Sequence, residues 1–105
     1  MNKAEELFHQ LAKNIPDSKE GKMFGALCLK TSSGKAAAMF WNDSMIFKLD
    51  GQAEKEALNL DGARVGTHLY NSNSPMKGWV QIPFKHSAQW KGYAQSAIAN
   101  VKENK

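Results

Sequence analysis

The sequence has little cysteine, no long apolar run and no basic leader. Its one cysteine, Cys28, excludes an intrachain disulfide and is typical of a protein in a reducing compartment. No apolar stretch approaches the roughly 18–20 residues that a membrane-spanning helix needs. Residues 1–6 are acidic, whereas a signal peptide begins with basic residues and continues with apolar ones. We therefore predict a cytoplasmic protein without a membrane segment.

The residue patterns of catalytic and metal sites are also missing. The three histidines lie in separate segments, without the spacing of metal ligands: His9, His68 and His86. Cys28 lies in an apolar run, where a small buried thiol is expected rather than a nucleophile. Residues 62–66 contain two glycines but not the Gly-Lys-Ser/Thr of a phosphate-binding loop. We predict no catalytic, metal-binding or cofactor-binding residues, and no enzyme activity.

What is present is typical of one small globular domain. The chain has 105 residues, of which 42% are hydrophobic and 23% charged. This length supports a modest core without disulfides or metals. We therefore predict a single domain over residues 1–105.

Charge is unevenly distributed along the chain. Residues 1–61 contain eight lysines and nine acidic residues, whereas residues 62–105 contain five lysines and one arginine against one glutamate. The basic half is either a surface for an anion or nucleic acid, or a set of solvated lysines on helices. The candidate anion-binding residues are Arg64, Lys77, Lys85 and Lys91. Trp79 and Trp90 are candidate stacking platforms for bases, although aromatic residues on periodic elements are more often core.

The first half of the sequence predicts a helix followed by an antiparallel meander of three strands. Asn2 caps a helix that carries an apolar stripe and ends near Asn14, before Pro16. Residues 17–21 are predicted to be a polar loop. Three strands follow, joined by tight turns, over residues 23–29, 36–41 and 45–49.

The second half predicts shorter elements and a last helix. Asp50 caps a short helix to about Leu58, and residues 59–66 are irregular. Residues 67–70 are a short strand, 71–75 a loop and 79–82 a strand stopped by Pro83. Ser87 caps the last helix. This order predicts a two-layer α+β domain, an antiparallel sheet of four to five strands with helices packed on it, in the order α-β-β-β-α-β(-β)-α.

The register across the turn at residues 42–43 divides the sheet into two faces. If Trp41 faces Ser44, one face and the helices share a core that includes Leu7, Leu11, Phe40, Phe47, Trp90 and Ile98. The opposite face then carries Met39, Trp41 and Ile46, joined by Trp79. An apolar second face is covered either by the chain itself or by another chain. We predict a homodimer or a protein partner at these four residues.

Several short stretches agree in order and spacing with one known family. Lys22-Met23-Phe24-Gly25 precedes a strand, a turn and a second strand with Met39-Phe40. Residues 42–50 form a strand with a lysine before an acidic helix cap, and residues 76–83 contain a methionine-aromatic-x-x-Pro segment. Together they resemble the TfoX/Sxy N-terminal domain family. The sequence departs from that family at Ala26, where a second glycine is expected.

This resemblance covers most of residues 20–100. It implies a two-layer fold similar to that of type III secretion chaperones and YjbR-like domains. It also implies a family known from a regulator of DNA-uptake competence, often met as a free-standing domain, with no catalytic residues. Two hypotheses follow: a non-enzymatic regulatory or protein-interaction domain, or a regulatory domain that binds nucleic acid through its basic C-terminal half.

Overall fold

The computed structural model describes the backbone of residues 3–23, 26–41, 43–68 and 71–103. In these ranges the chain forms α1 Lys3–Asn14, β1 Ser18–Met23, β2 Ala26–Thr31, β3 Ala36–Trp41, β4 Ser44–Lys48, α2 Gly51–Leu58, β5 Arg64–His68, β6 Asn71–Pro83, a 3-10 helix Phe84–Gln89 and α3 Trp90–Glu103. The strands form one antiparallel sheet in the order β1-β2-β3-β4-β6-β5. The predicted α+β class is confirmed, and none of the described helices is long and apolar enough to span a membrane.

The central meander has the predicted register. Trp41 pairs with Ser44 and Phe40 with Met45, so β3 and β4 are joined by a two-residue turn. Asp43 in that turn has φ 56°, a left-handed geometry that aspartate tolerates. In the turn between β2 and β3, Gly34 has φ 97°, which only glycine adopts readily. These turns fix which side of the sheet each side chain takes.

The predicted polar loop at residues 17–21 is wrong, because most of it belongs to β1. Asp17 has φ 64°, and the Ser18 hydroxyl donates a 2.7 Å hydrogen bond to the carbonyl of Ile15 at the end of α1. The chain therefore turns directly into β1. Met23 pairs with Ala26, so the strand predicted over residues 23–29 is divided between β1 and β2.

The predicted loop at residues 71–75 is also wrong. Its backbone begins β6, and Thr67 pairs with Pro75 while His68 pairs with Asn71. The register between β5 and β6 shifts twice in this region, and such irregularities accommodate a proline in a strand. Strand β5 begins at Arg64, inside the segment predicted to be irregular. Ladder pairing thus overrides local loop preference here.

Helix α3 begins two residues later than predicted. Ser87 lies inside the 3-10 helix, and the backbone N–H of Trp90 donates to the Ser87 carbonyl. Ser87 is therefore not the N-cap of α3. Asp50 does precede α2 as predicted, but its side chain makes no capping hydrogen bond.

The main core lies between the helices and one face of the sheet. Phe47 packs near Tyr93 of α3, with ring centroids 6.2 Å apart, and Phe8 of α1 packs near Phe40 at 5.9 Å. The Asn100 side chain also donates to the carbonyl of Lys48 at 3.2 Å. The predicted core is confirmed, with four residues buried and two partly buried against them: Leu11, Phe47, Trp90 and Ile98, then Leu7 and Phe40.

Candidate functional site on the helix-free sheet face

The sheet face opposite the main core has its own small apolar cluster. Cys28, Met39 and Ile46 form this cluster, and Trp79 packs against it. Residues of α1, α2 and α3 contribute to the main core, whereas none of the described helices contributes to this cluster. We call this side of the sheet the helix-free face, defined by the strand residues that alternate with those of the main core.

The predicted candidate interaction residues lie on the helix-free face, but two of them are not open to solvent. Within the single chain Met39 is 0% exposed and Ile46 is 1% exposed. The expectation that they need a second chain to bury them is therefore wrong. Trp79 packs against them, and their burial means that the centre of this face is not open to solvent. Trp41 remains 39% exposed, and Trp79 is partly buried.

Lysine side chains lie along the helix-free face. A Cβ on Gly21 would lie 2.9 Å from Cδ and Cε of Lys30, so the missing side chain at Gly21 lets Lys30 lie across β1. Lys48 pairs with Trp79 across β4 and β6, and its Nζ lies 5.7 Å from the Trp79 ring centroid. This is within the distance of a cation–π contact. Trp79 therefore holds the ammonium group of Lys48 on this face.

Two further cations share this face by register. Lys19 pairs with Lys30 on the neighbouring strand, and Arg64 on β5 pairs with Gln81, which itself pairs with Ile46. Directly paired residues present their side chains on the same side of a sheet. At the positions of this face in the described strands there are four cations and no carboxylate: Lys19, Lys30, Lys48 and Arg64.

The acidic residues nearest to this face are placed elsewhere. Glu20 follows Lys19 in β1 and points to the helix side, where its Oε1 lies 2.8 Å from Nδ1 of His9. Asp17 precedes β1 and accepts a 2.6 Å hydrogen bond from Lys102 of α3. Asp43 lies in the turn after β3. In the described strands Glu20 therefore lies on the helix side, where Lys22 of β1 also lies, and not on the helix-free face.

Cys28 is a buried free thiol in the small apolar cluster. Burial raises the pKa of its thiol, and the nearby Lys30 lowers that pKa by a smaller amount. The neutral thiol acts as a small apolar side chain in the cluster. This agrees with the interpretation of Cys28 as a structural residue.

The structure does not bring the four predicted anion-binding residues into one cluster. Arg64 lies on the helix-free face, whereas Lys91 is exposed on α3, on the helix side. Lys85 donates to the Asp61 carboxylate, and that hydrogen bond and its charge hold the Asp61 pKa below its usual range. The backbone of Lys77 lies in β6, but its side chain is outside the described residues.

A shallow groove of about 400 Å³ lies between α2 and the start of α3. Burial, and secondarily the charge of Glu56, raise the pKa of Tyr93 beside it. None of the residues that line the groove was a predicted site residue. The signal for the groove in the sequence is the spacing of three small residues, Ala88, Gly92 and Ser96, at intervals of four. The lining consists of Ala53, Glu56, Ala88, Gln89, Gly92, Tyr93 and Ser96.

Among the described residues, no three His, Cys, Asp or Glu side chains come together as a metal site. Comparison with known proteins finds no matching family model, no matching curated protein and no matching solved structure. The helix-free face therefore has to be interpreted from its own chemistry.

Proposed function

We propose that this chain is a non-enzymatic domain that binds nucleic acid through its helix-free face. The observation that carries the proposal is the composition of that face, on which four cations and no carboxylate occupy the described strand positions. A polyanion is the partner that gains most from such a surface, since each lysine or arginine that neutralises a phosphate releases a condensed counterion.

The cations are spread widely enough to follow a phosphate chain. They extend from β1 at one edge of the sheet to β5 at the other, which is five strand spacings in the observed order. At about 4.8 Å per spacing, the outermost positions are roughly 24 Å apart. A single small anion touches only one or two such side chains, whereas a nucleic acid contacts all of them.

The burial of Cys28 supports a binding role for this face, because a buried thiol in an apolar cluster is a structural residue. The resemblance to the TfoX family supports a regulatory role for the same domain. A cytoplasmic location is part of the proposal, and the single cysteine supports it.

Salt dependence of DNA binding tests the proposal. With four phosphate contacts, log K should fall against log salt with a slope of about −3 to −3.6. The double substitution Lys30→Gln and Lys48→Gln should make that slope less negative by about 1.5, because two phosphate contacts are lost. The measurement is fluorescence anisotropy of a labelled mixed-sequence oligonucleotide over a range of salt concentrations.

Two lysines on the helix side supply the matched control. Lys13 of α1 and Lys91 of α3 are exposed, and replacing both with glutamine removes the same net charge. This variant should keep the slope of the wild-type protein. No binding at low salt, or an equal loss in both double variants, contradicts the proposal.

A protein-interaction function is the second candidate, and two exposed aromatic residues support it. Trp41 pairs with Ser44, which pairs with Pro83, and Phe84 follows directly. Trp41 is 39% exposed and Phe84 37% exposed, at the same end of the sheet. Exposed aromatic residues are enriched at protein interfaces. Self-association that Trp41→Ser abolishes, measured by sedimentation velocity, would favour this candidate.

A further inference from the structure

We infer that Gly21 is a positioning residue of the helix-free face. It leaves the space in which Lys30 lies over β1, far from Lys48, so that the two lysines contact different phosphates of one nucleic acid. This inference rests on the proposed function, because it specifies how the same cations are arranged for an extended polyanion. It also assigns a role to a glycine in a strand, where glycine contributes no side chain to packing.

The Lys30 side chain occupies the space above Gly21. A Cβ on Gly21 would lie 2.9 Å from Cδ and from Cε of Lys30, and 3.4 Å from its Nζ. Gly21 has no positive φ, so its backbone conformation accepts other residues, and the close approach of Lys30 is what a larger side chain would disturb. Since Gly21 pairs with Cys28, the Lys30 side chain reaches from β2 onto the edge strand β1.

Lys48 extends in the opposite direction. Its Nζ lies 5.7 Å from the ring centroid of Trp79 and would lie 3.2 Å from a Cβ on Gly78, so the ammonium group lies over β6. In the sheet order β1-β2-β3-β4-β6-β5, Lys30 extends from β2 to β1 and Lys48 from β4 to β6. The two side chains therefore point away from each other. Trp79 thus positions a cation, whereas Trp90, the other predicted stacking residue, is fully buried in the main core.

This arrangement separates the two ammonium groups. Strands β1 and β6 are four spacings apart in the sheet, which is roughly 19 Å at about 4.8 Å per spacing. Ala36 of β3, the direct partner of Lys30, offers only a methyl group in the interval, and no carboxylate occupies the described strand positions of this face. A single phosphate cannot reach both ammonium groups over this distance, whereas phosphates along one nucleic acid can.

The edge strand concentrates positive charge at one of these two contacts. Lys19 pairs directly with Lys30, so both cations lie at β1. Like charges that are directly opposite in a sheet repel each other, and in the described strands no carboxylate on this face compensates them. Phosphates bound at this edge relieve the repulsion. Keeping Lys30 over Gly21 therefore keeps two cations together at the edge of the sheet.

Gly21→Ala tests the inference with the full chain and the labelled mixed-sequence oligonucleotide. The new Cβ needs the space of the Lys30 Cδ and Cε atoms, and because these belong to a flexible side chain, Lys30 moves while the backbone stays. The contact of Lys30 is lost, so the slope of log K against log salt should become less negative by about 0.9. In a Lys30→Ala background, Gly21→Ala should change neither the affinity nor the slope, because no long side chain then reaches position 21.

Gly92→Ala is the matched control, since it makes the same substitution on the helix side. Gly92 is exposed on α3, and a Cβ on it would meet none of the described neighbouring residues within 4 Å. This variant should bind the oligonucleotide with the affinity and the salt slope of the wild-type protein. Thermal melts of both variants should confirm that they are folded.

Pyrophosphate tests the separation of the two lysines. A compact anion cannot bridge roughly 19 Å, so pyrophosphate should displace the oligonucleotide no more than sodium sulfate of equal ionic strength does. Displacement by pyrophosphate under conditions where sulfate has no effect would mean that the lysines converge on one anion, and the inference would then be wrong.

The outcomes separate this inference from the proposed function. If Gly21→Ala keeps the wild-type slope while the double substitution of Lys30 and Lys48 changes it, Gly21 is not a positioning residue and nucleic-acid binding stands. If Gly21→Ala weakens binding equally in the Lys30→Ala background, it acts without Lys30, which also contradicts the inference. If the wild-type protein binds no oligonucleotide at low salt, both proposals are wrong.

Discussion

Truncating Met39 to alanine tests whether the chain buries its helix-free face without a partner. Met39 is 0% exposed in the single chain and packs with Cys28 and Ile46. Truncating a buried methionine to alanine lowers the free energy of unfolding by about 2–5 kcal/mol. The lower half of that range applies here, because a cluster of three residues can partly relax into the space left behind. A domain of this length has a total stability of about 5–15 kcal/mol, so the loss is a large fraction.

The assay is equilibrium urea unfolding followed by far-ultraviolet circular dichroism. With a denaturant slope of about 2 kcal/mol per molar urea, a loss of about 3 kcal/mol lowers the midpoint by about 1.5 M. Met39→Leu is the control, because it nearly conserves side-chain volume and should cost less than about 1.5 kcal/mol.

The same experiment distinguishes burial within one chain from burial against a second copy. If the single chain covers Met39, the wild-type midpoint stays constant over about a hundredfold range of protein concentration. If a second copy covers it, the midpoint rises with concentration, because association stabilises only the folded state. A midpoint that rises with concentration, or a Met39→Ala cost below about 0.5 kcal/mol, would refute the reasoning.

Two other predictions concern the main core and a surface ion pair. Phe47→Ala should lower the free energy of unfolding in urea by about 3–5 kcal/mol, because Phe47 is fully buried and packs near Tyr93 of α3. A loss of free energy below about 1 kcal/mol would mean that the Phe47 side chain faces away from the core. Lys85→Gln should raise the Asp61 pKa toward the ordinary value of an aspartate, as measured by carboxyl NMR titration. Because the folded-state pKa is lowered, the stabilising effect of the pair is present above the ordinary carboxyl pKa and is lost as pH falls through the lowered value. An Asp61 titration that is the same in both proteins would contradict this pairing.

The meander was predictable because its local signals agree with one another. Residues 36–41 and 45–47 are apolar throughout, so the two-residue turn at positions 42–43 selects the register that places Phe40, Met45 and Phe47 on a common face. A slip of one residue would move all of them to the other side. The turn residues favour the same register, so sequence alone determined the pairing in this part of the chain.

Strands β1 and β6 were partly missed because pairing, rather than apolar content, makes them strands. β1 is an edge strand with the sequence Ser-Lys-Glu-Gly-Lys-Met, and charged residues are typical of edges that must not pair with other chains. Residues 71–75 are rich in asparagine and serine, yet their backbone belongs to β6. Both segments take their conformation from a neighbour in the sheet, which a local pattern does not reveal.

The apolar residues of the helix-free face and Arg64 were predicted, but its three lysines were missed, since charge was counted along the chain instead of across the sheet. Lys19, Lys30 and Lys48 belong to the half of the sequence whose net charge is negative. In a strand, neighbouring residues point to opposite faces, so Lys19 and Glu20 contribute to different surfaces although they are adjacent in sequence. When charge is summed over a segment of the sequence, the positive charge of Lys19 and the negative charge of Glu20 cancel. Once β1 is recognised as a strand, register places these lysines on one face and Glu20 beside His9 on the other. The surface potential of this domain therefore follows from strand register.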